Sequence, residues 1–103
     1  MNSQPFEIRV DAEGVLWLSG ELDLEQADLL TEVAAQHLDG QRSVVLDFSR
    51  LTFIDSSGLR SILTFATTVP DDVVIRNPRP NVQAVLRIAG IDETVGVRID
   101  SSD

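Results

Sequence analysis

The stretch Leu51 to Leu63, LTFIDSSGLRSIL, joins a strand to a helix with almost no chain between them. Ile54 closes an apolar run, Asp55, Ser56 and Ser57 are three consecutive helix-capping residue types, and Gly58 removes bulk beside them. Leu59, Ile62, Leu63 and Ala66 then recur at i, i+3, i+4 and i+7, the spacing of one apolar helix face. The pattern predicts a helix that starts within about two residues of Ser56. Two serine hydroxyls would stand in its first turn, where unpaired amide hydrogens and the positive end of the helix dipole favour an anion. With Asp55 as the cap, Ile54 and Leu59 also occupy the positions of a hydrophobic staple, so these residues equally suit a purely structural helix start.

The flanking chain supplies the rest of an α/β pattern. Phe6, Ile8 and Val10 alternate with Glu7, Arg9 and Asp11 as a half-buried strand does. Asp11 to Gly14 (DAEG) reads as a turn and Val15 to Ser19 as the second strand of a hairpin, with Trp17 a partly buried packing residue. Gly20 to Asp23 (GELD) leads into a helix in which Asp23 is the N-cap and Gln26 holds the capping-box position. Ala27, Leu30, Ala34 and Leu38 line one face of that helix, and Gly40 stops it. Val44, Leu46 and Phe48, with Val45 between them, form a well-buried strand. The serine-led helix ends before Pro70, Val73 to Arg76 is a short strand, and Asn77-Pro78-Arg79-Pro80 is a turn. Val82, Val85, Leu86 and Ala89 mark a third helix closed by Gly90, and Val95, Val97 and Ile99 alternate as a last strand. The order β-β-α-β-α-β-α-β implies one α/β domain over residues 1–103: a mixed, mostly parallel sheet with an opening β-hairpin and helices following the strands.

Composition removes several function classes. The 103 residues are 43% hydrophobic, enough for a modest core, and no run approaches the ~20 apolar residues that cross a bilayer. MNSQPFEIRV lacks both the basic region and the apolar core of a signal peptide, so a cytoplasmic protein without membrane insertion is expected. There is no cysteine, which excludes thiol chemistry and disfavours metal sites. Seventeen acidic residues stand against eight basic ones, all arginine, for a net charge of −9. Nucleic-acid binding, which needs clustered cations, is therefore not expected. Catalysis is not expected either. Ser56 as a nucleophile would need a neighbouring base, and the single histidine, His37, falls in the last turn of the first helix, where it suits the dipole. No G-x-S-x-G elbow, phosphate-binding glycine loop or metal-ligand cluster is present, so no cofactor is implied.

Three landmarks in order, LSGELD at Leu18 to Asp23, VVLDFSRLTFIDSSGL at Val44 to Leu59 and NPRPNVQAVLRIAGI at Asn77 to Ile91, resemble the STAS domain family, named for sulphate transporters and anti-sigma factor antagonists. The resemblance runs from about Phe6 to Ile99. In the antagonists of this family the first serine after the signature aspartate is phosphorylated by the anti-sigma factor itself, a serine kinase of the histidine-kinase-like ATPase class. The resemblance thus implies Ser56 as phosphoacceptor, a phosphatase for reset, and a partner-binding surface of Asp23, Asp55, Ser57, Gly58, Leu59 and Arg60. Arg60 stands where a small residue is common in phosphorylated members, four residues after Ser56. There it either pairs with a phosphate on Ser56 or is a solvated helix residue. Many members continue into a further C-terminal helix, whereas this sequence ends in Asp100-Ser101-Ser102-Asp103, and the short segment from Ser56 to Val73 implies a second helix one turn shorter. The short end and Arg60 keep a second reading open: a non-phosphorylated STAS subunit docking on the ATPase of a bacterial lipid-transport ABC system.

Overall fold

The computed structural model describes residues 5–37 and 40–100. Its elements are β1 (Glu7–Val10), β2 (Leu16–Leu22), α1 (Leu24–His37), β3 (Val44–Ile54), α2 (Ser56–Thr68), β4 (Val73–Arg76), α3 (Pro80–Ile88) and β5 (Val97–Asp100). The strands form one sheet in the order β1-β2-β3-β4-β5. β1 runs antiparallel to β2, and every later pair is parallel, as the alternation of strands and helices implies. The hairpin turn is held by Asp11, whose Oδ1 accepts from the backbone N–H groups of Glu13 (2.9 Å) and Val15 (3.0 Å).

Two boundaries and one added element differ from the sequence reading. β2 does not end at Ser19. Leu16, Leu18, Gly20 and Leu22 are alternately buried, so Gly20, Glu21 and Leu22 of the expected lead-in are strand. Glycine hid this extension because it breaks the apolar alternation; here it sits at φ +87° beside a register shift between Gly20 and Glu21. β5 starts at Val97 rather than Val95, because Gly96 at φ +87° redirects the chain and leaves Val95 97% exposed. Between α3 and β5 an unforeseen 3₁₀ turn, Ile91–Glu93, drops Ile91 into the core. Leu38, expected on the apolar face of α1, lies outside the described residues; Leu30 and Ala34 are the buried members of that face.

The buried face of α2 is Gly58, Ser61, Ile62 and Phe65, one position back from the expected stripe. Leu59 and Ala66 are only half-buried and Leu63 is 36% exposed. The cause is close approach. A Cβ on Gly58 would lie 2.7 Å from the carbonyl oxygen of Leu22 and 2.8 Å from Ile54 Cγ1, so glycine faces the sheet and fixes the helix rotation. Ser61 is tolerated inside because its hydroxyl donates to the Gly58 carbonyl at 2.7 Å. Leu16, Leu18, Leu22, Leu46, Phe48, Leu51 and Ile54 from the central strands complete the core with Leu30, Ile62, Phe65, Val82 and Leu86 from the helices.

β3 is eleven residues long, yet its pairing with β4 stops at Asp47. Beyond that point the start of α3 covers the strand's edge: Arg79 Nε donates to the Ser49 carbonyl (3.0 Å) and Asn81 Nδ2 to the Thr52 carbonyl (3.0 Å). On the other face of the sheet, register aligns Arg9, Trp17, Asp47, Arg76 and Asp100 in one row across all five strands. Asp47 is 1% exposed and accepts from Arg76 Nε at 2.7 Å; the Arg76 guanidinium lies 5.1 Å from the Trp17 ring centre. The Trp17 indole donates to Asp11 Oδ2 at 2.8 Å, which holds this half-buried ring in place.

Candidate functional site

α1 and α2 both begin at the edge of the sheet where β2 and β3 end, and Leu22 pairs with Ile54 there. The next residue on each strand is an aspartate, and each caps a helix. Asp23 Oδ1 accepts from the N–H groups of Glu25 (3.1 Å) and Gln26 (3.3 Å), which satisfies donors that the first turn of α1 leaves free. Asp55 donates its own N–H to the Leu22 carbonyl at 3.2 Å, and its Oδ1 accepts from Gly58 N–H at 3.0 Å. One aspartate therefore ties the end of β2 to the start of α2. Asn or Ser could cap as well; the close packing of Gly58 against Leu22 completes the joint.

Ser56 is the first residue of α2 and is exposed. The half-buried Ser57 turns toward α1. Between the two helices lies a groove of about 330 Å³ whose walls include Leu24, Asp28 and Thr31 on α1 and Ser57, Arg60 and Thr64 on α2. Of the residues singled out from sequence, Ser57 and Arg60 thus meet in the groove, Asp23, Asp55 and Gly58 build the helix starts, and Leu59 packs against the core. The α1 wall was missed. Its signal is the spacing Leu24, Ala27, Asp28 and Thr31, a second i, i+3, i+4, i+7 set beside the buried one, with Leu24 71% exposed.

His37 stands in the last turn of α1, some 13 residues and about 20 Å along that helix from the edge bearing Ser56. The fold brings no imidazole to the serine. Among the described residues no three His, Asp or Glu side chains gather as a metal site. No helix among them is long and apolar enough to cross a membrane. What the site offers chemically is an exposed hydroxyl at the first position of α2, directly after the Asp55 cap.

Known proteins share this fold. The family model described as Mlab, STAS domain, matches residues 7–99. A Bordetella bronchiseptica protein named as a candidate anti-sigma factor antagonist, BtrV, is 36% identical over 86 residues, covering 80% of this chain and 74% of that protein. Among solved structures, a candidate anti-sigma factor antagonist from Thermotoga maritima superposes with a TM-score of 0.73 at 22% identity, covering 94% of this chain and 87% of that one. The Bacillus protein SpoIIAA, solved in its phosphorylated form, gives a TM-score of 0.62 at 19% identity over 95% of this chain and 93% of that one. The chain belongs to the STAS domain family.

Proposed function

We propose that this domain is an anti-sigma factor antagonist that works by partner switching. Unphosphorylated, it binds a serine-kinase anti-sigma factor of the histidine-kinase-like ATPase class and so frees a sigma factor. Phosphorylated on Ser56, it lets go, and a phosphatase resets it. The name carried by the 36% identical relative supports the role. The observation that carries the switch is the exposed Ser56 at the first position of α2, directly after a cap whose carboxylate is already committed to Gly58.

A phosphate there adds roughly −1.5 to −2 charges on a chain already at −9 and beside two capping aspartates. Desolvating it in a docked interface costs binding energy, and like-charge repulsion adds to the cost. A loss of only ~3 kcal/mol weakens binding roughly a hundredfold, so no large rearrangement is needed. The test is to give the chain an ATPase-type serine kinase and Mg-ATP: its mass should rise by one phosphate, carried on Ser56. Arg60, standing where a small residue is common in the phosphorylated members, leaves room for one other reading, the STAS subunit docked on a transporter ATPase. Stable co-purification with such an ATPase, with no modification by any kinase, would select that reading instead.

A further inference from the structure

We infer that Arg60 couples the state of Ser56 to the groove between α1 and α2, an inference that rests on Ser56 being the phosphoacceptor. Among the described residues of the groove wall, Arg60 is the one cation and Asp28 the one anion. Yet it pairs with neither Asp28 nor any other group among the described residues: the ion pairs there are Arg42–Asp71 and Arg76–Asp47. Its guanidinium is therefore uncommitted.

Position decides what it can reach. Arg60 follows Ser56 by four residues and Ser57 by three, so it borders both the exposed side of α2 and the groove side. The axial rise from Ser56 is about 6 Å, within the span of an arginine side chain. A phosphate on Ser56 would be the strongest acceptor in that range, because a dianion with three oxygens takes a guanidinium in a two-pronged, charge-assisted contact. A single rotamer change would then move the cation from the groove to the phosphate. The groove would keep Asp28 and lose the positive charge of Arg60. Phosphorylation would thereby alter two surfaces at once, the serine itself and a groove opening beside it, without moving the backbone. A partner group seated near Arg60 would feel the modification even where it never touches Ser56.

The experiment uses the full chain with phosphoserine built in at position 56 during translation, so no kinase is needed. Phosphorus NMR gives the second ionisation of the phosphate, and amide spectra follow Asp28 and Thr31 on α1. In the wild-type chain the phosphate should ionise about 0.3 pH unit lower than in Arg60→Gln, a gap that high salt narrows and Arg60→Lys partly restores. Amides of Asp28 and Thr31 should shift between the serine and phosphoserine forms of the wild type and stay still in Arg60→Gln. Equal ionisation in both chains, or α1 amides that respond identically with and without Arg60, would overturn the coupling. Failure of every kinase to modify Ser56 would instead sink the parent reading and leave these measurements unchanged.

Discussion

Ser56 and Ser57 are separated by about 100° of helix rotation, and that rotation leaves one hydroxyl in solvent and turns the other toward α1. Helix-end electrostatics favours both equally, so the sequence alone could not choose; resemblance chose Ser56, and its exposure supports that choice. Ser56→Ala should abolish phosphorylation and leave the domain permanently able to bind its partner, as phosphopeptide mapping and a pull-down would show. Ser56→Asp should weaken that binding less than phosphate does, since it supplies one charge and two oxygens. Ser57→Ala should remain phosphorylated and cost no more than ~0.5 kcal/mol of stability, because the cap contact belongs to Asp55. A phosphate mapped to Ser57 would refute the assignment. His37→Gln should shift partner affinity by less than about threefold, or ~0.7 kcal/mol, in keeping with a residue at the far end of α1.

The joint between β2, β3 and α2 is an element-scale device, and Gly58 is its test. Alanine is the better helix former by ~1 kcal/mol, yet here its methyl would lie 2.7 Å from a backbone oxygen that is itself bonded to Asp55. Gly58→Ala should therefore destabilise the domain by roughly 1–3 kcal/mol, read as a lower urea midpoint. Asp55→Ala should cost about 1 kcal/mol, and Asp55→Asn much less, since the amide oxygen can still accept. Element order and the start of α2 were legible from periodicity and capping residues. The rotation of α2 was not, because sequence periodicity scores leucine above glycine and serine, and only the approach of the Leu22 carbonyl reveals which side must be small. The same holds for Gly20 and Gly96: glycine announces a change of direction without saying whether a strand continues beyond it.

Across the whole molecule, the row on the far face of the sheet runs over all five strands, and its buried member, Asp47, is held by Arg76 of the neighbouring strand. Burial pushes its carboxyl up, but the hydrogen bonds from Ser49 and the charge and contact of Arg76 outweigh this and hold it below the ordinary carboxylate value. A folded value below the unfolded one means that the contribution is present above pH ~4 and is lost as pH falls through the lowered folded value. Asp47→Asn should cost on the order of 2–3 kcal/mol at neutral pH and show a shallower loss of stability in acid than wild type, measured by urea midpoints across pH. This row escaped the sequence reading because its members are spread from Arg9 to Asp100 and meet only through register. The antiparallel β1 has one last consequence. It begins beside Ser19 and turns back at Gly14, and the parallel β5 is entered past Val95, so both connections lie at the rim away from the helix starts and Ser56. A label meant to leave the serine hydroxyl accessible belongs at that rim, on the turn around Gly14 or on Val95.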